Sequence, residues 1–155
     1  MTTNTPTTTP ASTPLLNPQV IGLAHYAGRA VLERVLARHG MTFQQSIALR
    51  RAAAQGPVER DGLVGGVVDA LKVTPAEAHS VVDELITADL LSPEGPSQVR
   101  ITDTGRELFD RTSAETAPIS ARVYAGIPEE DLAAAGRVLT LITERANAEL
   151  AALSD

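Results

Sequence analysis

The chain has 155 residues, of which 43% are hydrophobic but only 3% aromatic, with a formal net charge of -6 and no cysteine. That length suits one domain with an extension, its core built from Ala, Val, Leu and Ile, and the absence of cysteine excludes disulfides and thiolate metal sites. No apolar run approaches the roughly 20 residues that span a bilayer, no charged-then-apolar leader opens the chain, and the acidic balance carries no global signature of a nucleic-acid binder.

Met1 to Pro14 is Thr and Pro with almost no apolar content. Such a segment cannot bury enough surface to offset its ordering entropy, so residues 1–16 are expected to form a disordered tail. From Pro18 the pattern turns helical. Val20, Leu23, Ala24, Ala27, Val31, Val35 and Leu36 keep helical spacing up to Gly40, with Asn17 as cap and Pro18 at the first helical position. His25, Tyr26 and Arg29 share this helix and form a candidate ligand cleft, a cation beside an aromatic being suited to a phenolic acid or carboxylate. His25 and His39 stand about 21 Å apart along it and cannot share a metal.

A second helix starts at Thr42-Phe43-Gln44-Gln45 and ends at Gln55-Gly56-Pro57, with Ile47 and Leu49 turned inward and Arg50 and Arg51 beside them. A third runs from Asp61 to Leu71, where Gly65 and Gly66 either permit close packing or fray it. Lys72-Val73 then turns into the stretch around which the chain is organised. Thr74 caps, Pro75 takes the first helical position and Glu77 sits three residues after the cap, completing a capping box. Ala78, Val81, Val82, Leu85 and Ile86 give this fourth helix one buried face, and Leu90 and Leu91 are expected to close it. Ser92-Pro93-Glu94-Gly95-Pro96 cannot continue a helix, and Val99-Arg100-Ile101-Thr102 alternates like a short strand. Helix, hairpin and strand predict a winged helix-turn-helix: a mainly α fold with a small β-hairpin wing.

Thr104-Gly105-Arg106-Glu107 opens another long helix, marked by Leu108, Phe109, Ile119, Val123 and Tyr124 and expected to kink at Pro118. Gly126-Ile127-Pro128 breaks the chain, and Glu129-Glu130-Asp131 is an acidic first turn of the kind a helix N-terminus favours. The last helix carries an apolar seam of Leu132, Ala135, Leu139, Ile142, Ala146 and Leu153. Long helices with apolar stripes at both ends leave surface that a small winged module cannot cover, which predicts a homodimer.

The order of these pieces resembles the MarR family of bacterial transcriptional regulators, from about Asn17 to Leu153. The likeness is carried by Val81-Val82-Asp83-Glu84-Leu85 running to Asp89-Leu90-Leu91, by Arg100-Ile101-Thr102-Asp103-Thr104-Gly105-Arg106, and by Val123-Tyr124-Ala125-Gly126-Ile127-Pro128-Glu129-Glu130-Asp131-Leu132. The resemblance implies a homodimer that binds a pseudo-palindromic operator in double-stranded DNA through helix 75–91 and wing 92–102, and with no spanning run or leader read from the sequence a cytoplasmic location is the default expectation. It also implies a small aromatic or anionic effector that changes DNA affinity. Residues 17–40 and 106–154 then form the dimerisation region and 41–105 the DNA-binding region.

The residues themselves offer Thr74, Ala76, His79 and Ser80 for the groove, Ser97, Gln98 and Arg100 in the wing, and Arg50, Arg51 and Lys72 for phosphates. Two features depart from the family pattern. The hairpin is short, with Arg100 its one base, and the reading helix holds Glu77, Asp83, Glu84 and Asp89 but no Lys or Arg. Such acids oppose phosphate binding unless they face away or pair with arginines elsewhere. No enzyme signature, cofactor motif or metal-ligand cluster is present. Two other readings remain: a winged-helix dimer that binds a protein or small molecule and has lost DNA, and the dimerisation module of a methyltransferase. The absence of a catalytic domain before Asp155 weighs against the latter.

Overall fold

The computed structural model describes residues 13–154; as far as residue 12 the expected disordered tail lies outside them. Two compact units divide the chain, one ending at Glu115 and the other beginning at Thr116.

In the first unit, α1 (Pro18–Ala37) starts as its sequence dictates: the Asn17 side chain accepts from the Val20 amide and Pro18 occupies the first turn. It stops through Gly40, whose φ of 66° lets the Met41 amide reach back to the Leu36 carbonyl. α2 (Phe43–Ala53) opens with a full capping box between Thr42 and Gln45. Pro57 ends the following turn, and β1 (Val58–Glu59) leads straight into α3 (Arg60–Leu71). Lys72, at φ 55°, turns the chain sharply into α4 (Pro75–Thr87), where Thr74 and Glu77 close the expected box.

α4 is shorter than the sequence reading. It ends at Thr87 rather than at Leu90 or Leu91, because Asp89 takes a left-handed φ of 59° and the Leu90 amide bonds the Leu85 carbonyl. This is the hydrogen-bonding pattern of a glycine-type helix stop, here made by aspartate. Leu90 is thereby swung into the core, and Leu91 starts β2 (Leu91–Glu94).

β2 pairs antiparallel with β3 (Gln98–Ile101), and β1 adds a third strand, giving the order β1-β3-β2. The hairpin was legible; β1 was not, since two residues are too few to alternate. Pro93 lies on the edge strand β2, where its missing amide costs no interior ladder bond. Leu36, Leu49, Val67, Val82, Leu85, Leu91 and Val99 are almost wholly enclosed, so α1, α2, α3, α4 and the sheet share one core. Gly65 and Gly66 leave α3 unbroken, and Gly66 is buried against the Arg51 guanidinium.

α5 (Asp103–Tyr124) begins in this unit and ends in the second, with Pro118 inside its bounds. In the second unit Gly126, at φ 77°, breaks the chain before α6 (Glu129–Leu153), whose first turn is acidic as expected. No residue of α6 is buried.

Candidate nucleic-acid interface

α4 is built to project. Ala78, Val81, Val82 and Leu85 fix one side in the core, so the helical period turns Ala76, Ser80, Asp83 and Thr87 outward as a continuous exposed stripe. His79 is exposed on one flank and Glu77 and Glu84 on the other.

The carboxylates of α4 are engaged one by one. Glu77 accepts from the Thr74 amide at 2.8 Å and from the Thr74 hydroxyl at 2.9 Å. The backbone bond first and the hydroxyl second hold its carboxyl below the usual value of 4.5. Asp83 accepts from the guanidinium of Arg60, at the start of α3. Glu84 accepts from the Gln45 amide at 2.8 Å. Pairing with an arginine, one of the two escapes the sequence allowed, is thus found for Asp83 alone, and Glu84 is met by a neutral amide.

The wing stands beside this helix. Its turn is tied to the root of α3 by a bond from the Arg60 amide to the Ser97 carbonyl at 2.9 Å. Gln98 donates to Glu59 at 3.1 Å, joining β3 to β1. The Arg100 side chain is 55% exposed and makes a long ion pair, at 4.0 Å, with Glu94 across the hairpin.

The remaining phosphate candidates lie on α2 and in the turn before α4. Arg50 is exposed at the C-terminal end of α2, and Lys72 is exposed in the turn before α4. Arg51 lies over Gly66 and, with Gln55, Glu59 and Gln98, lines a hollow of about 370 Å³. The structure therefore gathers Ala76, His79 and Ser80 on one helix surface, Thr74 at its cap, and Ser97, Gln98 and Arg100 on the adjoining wing. Arg50 is not among them.

The candidate effector residues lie on α1. Tyr26 is 67% exposed and meets the His25 ring edge-on at 5.4 Å. Arg29 is partly committed: it bonds Glu33 at 2.8 Å and stacks 4.5 Å over the Phe43 ring. His39 is joined to Glu115 on α5 at 3.0 Å. Among the described residues no group of three His, Asp or Glu could hold a metal ion, and no helix is long and apolar enough to cross a membrane.

Near the site, β1 and the pairing of Arg60 with Asp83 escaped the sequence. The two residues are 23 positions apart, and nothing in the composition of either segment links them.

A capped helix held by its apolar face on a three-helix core, with a short antiparallel wing beside it, defines the chain as a winged helix-turn-helix protein. Solved structures of MarR-family transcriptional regulators are among those it matches, and the resemblance read from the sequence holds at the level of the fold. CouR from Rhodococcus jostii RHA1, solved with p-coumaroyl-CoA, superposes with a TM-score of 0.68 at 21% identity, covering 80% of this chain and 88% of its own. Ligand-free NadR gives 0.68 at 17% identity over 84% of this chain and 98% of its own. The MarR-family protein Rv2887 of Mycobacterium tuberculosis, solved with p-aminosalicylic acid, gives 0.63 at 19% identity over 80% and 95%. No family model and no curated protein matches the chain.

Proposed function

We propose that the protein is a homodimeric, ligand-responsive DNA-binding transcriptional regulator, acting in the cytoplasm as a repressor. The observation that carries this reading is the outward stripe of α4, free of the core and flanked by a wing whose arginine is exposed. Ala76, His79 and Ser80 contact bases in the major groove, while Thr74 and Lys72 stand at the mouth of the same helix. Ser97, Gln98 and Arg100 lie over the adjacent backbone or minor groove, with Arg51, which lines a hollow with Gln98, as a further phosphate contact. Residues 17–40 and 106–154 supply the dimer, and two-fold symmetry places the half-sites about 34 Å apart.

Selection of duplexes from a random pool at low salt tests the reading. Enrichment of a pseudo-palindrome supports it. No enrichment by folded protein favours a winged-helix dimer that binds a protein or small molecule, a reading kept in view by the lack of any Lys or Arg on α4.

The effector class follows from His25, Tyr26 and Arg29 and from the aromatic acid and the thioester in two of the neighbours. Calorimetry against aromatic acids should show binding that Arg29→Ala weakens about tenfold or more, the scale of losing a charge-assisted bond. Binding unchanged in that variant places the effector elsewhere.

A further inference from the structure

The Arg60–Asp83 pair joins the three parts that a DNA-binding face must coordinate. The Arg60 amide is bound to the wing turn at Ser97, its side chain springs from the first turn of α3, and its guanidinium meets Asp83 on the outer stripe of α4. The pair stays open to solvent, with side-chain exposures of 33% for Arg60 and 62% for Asp83. An exposed pair of this kind contributes little to stability. What it does is fix a guanidinium fork in one orientation on the face that α4 presents. The guanidinium has five N–H donors, and the bond to Asp83 uses one of them.

Resting on the DNA-binding reading above, we propose that Arg60, oriented by Asp83, is a specificity-determining residue that reads guanine O6 and N7 in the major groove of each half-site. Guanine is favoured over phosphate by the neighbouring carboxylate. A phosphate oxygen beside Asp83 meets like charge, whereas the guanine edge is a neutral pair of acceptors that matches the fork bidentately. Asp83 can in turn accept from the N4 amine of a cytosine in the same groove. The pair is close to charge-neutral, so it adds selectivity to α4 without adding to the counterion release that Arg100 produces.

The test compares wild type, Arg60→Ala, Arg60→Lys and Asp83→Asn, each shown folded by circular dichroism, on duplexes selected by the wild type. One base pair per half-site should be preferred as G·C by about tenfold or more, and both Arg60 variants should reduce that preference to below about twofold while sparing the other positions. Lysine keeps the charge but lacks the fork, so Arg60→Lys must fail as Arg60→Ala does. The slope of log affinity against log salt should stay at the wild-type value in Arg60→Ala. In Asp83→Asn the freed guanidinium should lose its G·C preference and steepen the slope by about 0.9, one phosphate contact. An unchanged preference profile in Arg60→Ala, or a slope that falls by about 0.9 in that variant, overturns this proposal and leaves the DNA-binding reading standing. Failure of the wild type to select any palindrome overturns both.

Discussion

Glu77 shows how one residue serves the helix and the site together. Its carboxylate closes the capping box on Thr74 and so sets where α4 begins and how its first exposed residues are displayed. Because these bonds favour the charged form, its folded pKa is lowered, and the stability it contributes is present above the unfolded value near 4.5 and lost as pH falls through the folded one. Glu77→Gln keeps an acceptor but does not titrate. Melting curves from neutral to acid pH should show a Tm gap between wild type and variant that is widest near neutrality and closes below about 4.5. A gap that stays constant across that range would mean the ionised carboxylate plays no part.

At the scale of elements, one glycine decides how α5 is seated. A Cβ on Gly105 would lie 2.1 Å from the Leu90 carbonyl oxygen, which already accepts from the Thr102 amide. The start of α5 therefore sits directly on the turn that links α4 to β2. Gly105→Ala should destabilise the protein by about 3 kcal/mol in urea unfolding, at the upper end of overpacking penalties. By contrast Gly65, inside α3 with nothing within 4 Å of its missing Cβ, should gain about 0.5–1 kcal/mol on replacement by alanine. Equal and small effects at both positions would contradict this packing.

Helix starts were legible in the sequence because their causes are local: Asn17-Pro18, Thr42 with Gln45 and Thr74 with Glu77 each carry cap and partner within three residues. The end of α4 was not, since Asp89 in a left-handed conformation has no periodic signature and the apolar run continues through Leu90 and Leu91. Arg60 escaped for the opposite reason, its role being set by a contact that exists only once α3 and α4 are packed. The outward residues of α4 followed from the helical period, whereas the partners that engage its carboxylates, Arg60 and Gln45, come from other helices.

For the whole molecule, the apolar surface matters most. Leu132, Val138, Leu139, Leu141, Ile142 and Leu150 on α6 are each between 36% and 49% exposed, and Leu23 and Tyr26 on α1 exceed that. A single chain leaves these groups in water, and covering them is the driving force assigned to dimerisation. Replacing Leu139 and Ile142 with glutamate should convert the sedimenting species from dimer to monomer at micromolar concentration, or leave the chain unfolded. A native chain that sediments as a monomer would remove the basis for symmetry.

The central claim is that two copies of α4, related by two-fold symmetry, read one operator. Its most direct test is analytical sedimentation of the protein with three duplexes: the selected palindrome, a single half-site, and the palindrome with five base pairs inserted at its centre. The insertion rotates one half-site by about half a turn of B-DNA, so a symmetric dimer cannot engage both. The account predicts two chains on the intact palindrome and affinity on the inserted duplex no better than on one half-site. Binding that ignores the insertion, or one chain per palindrome, would contradict it.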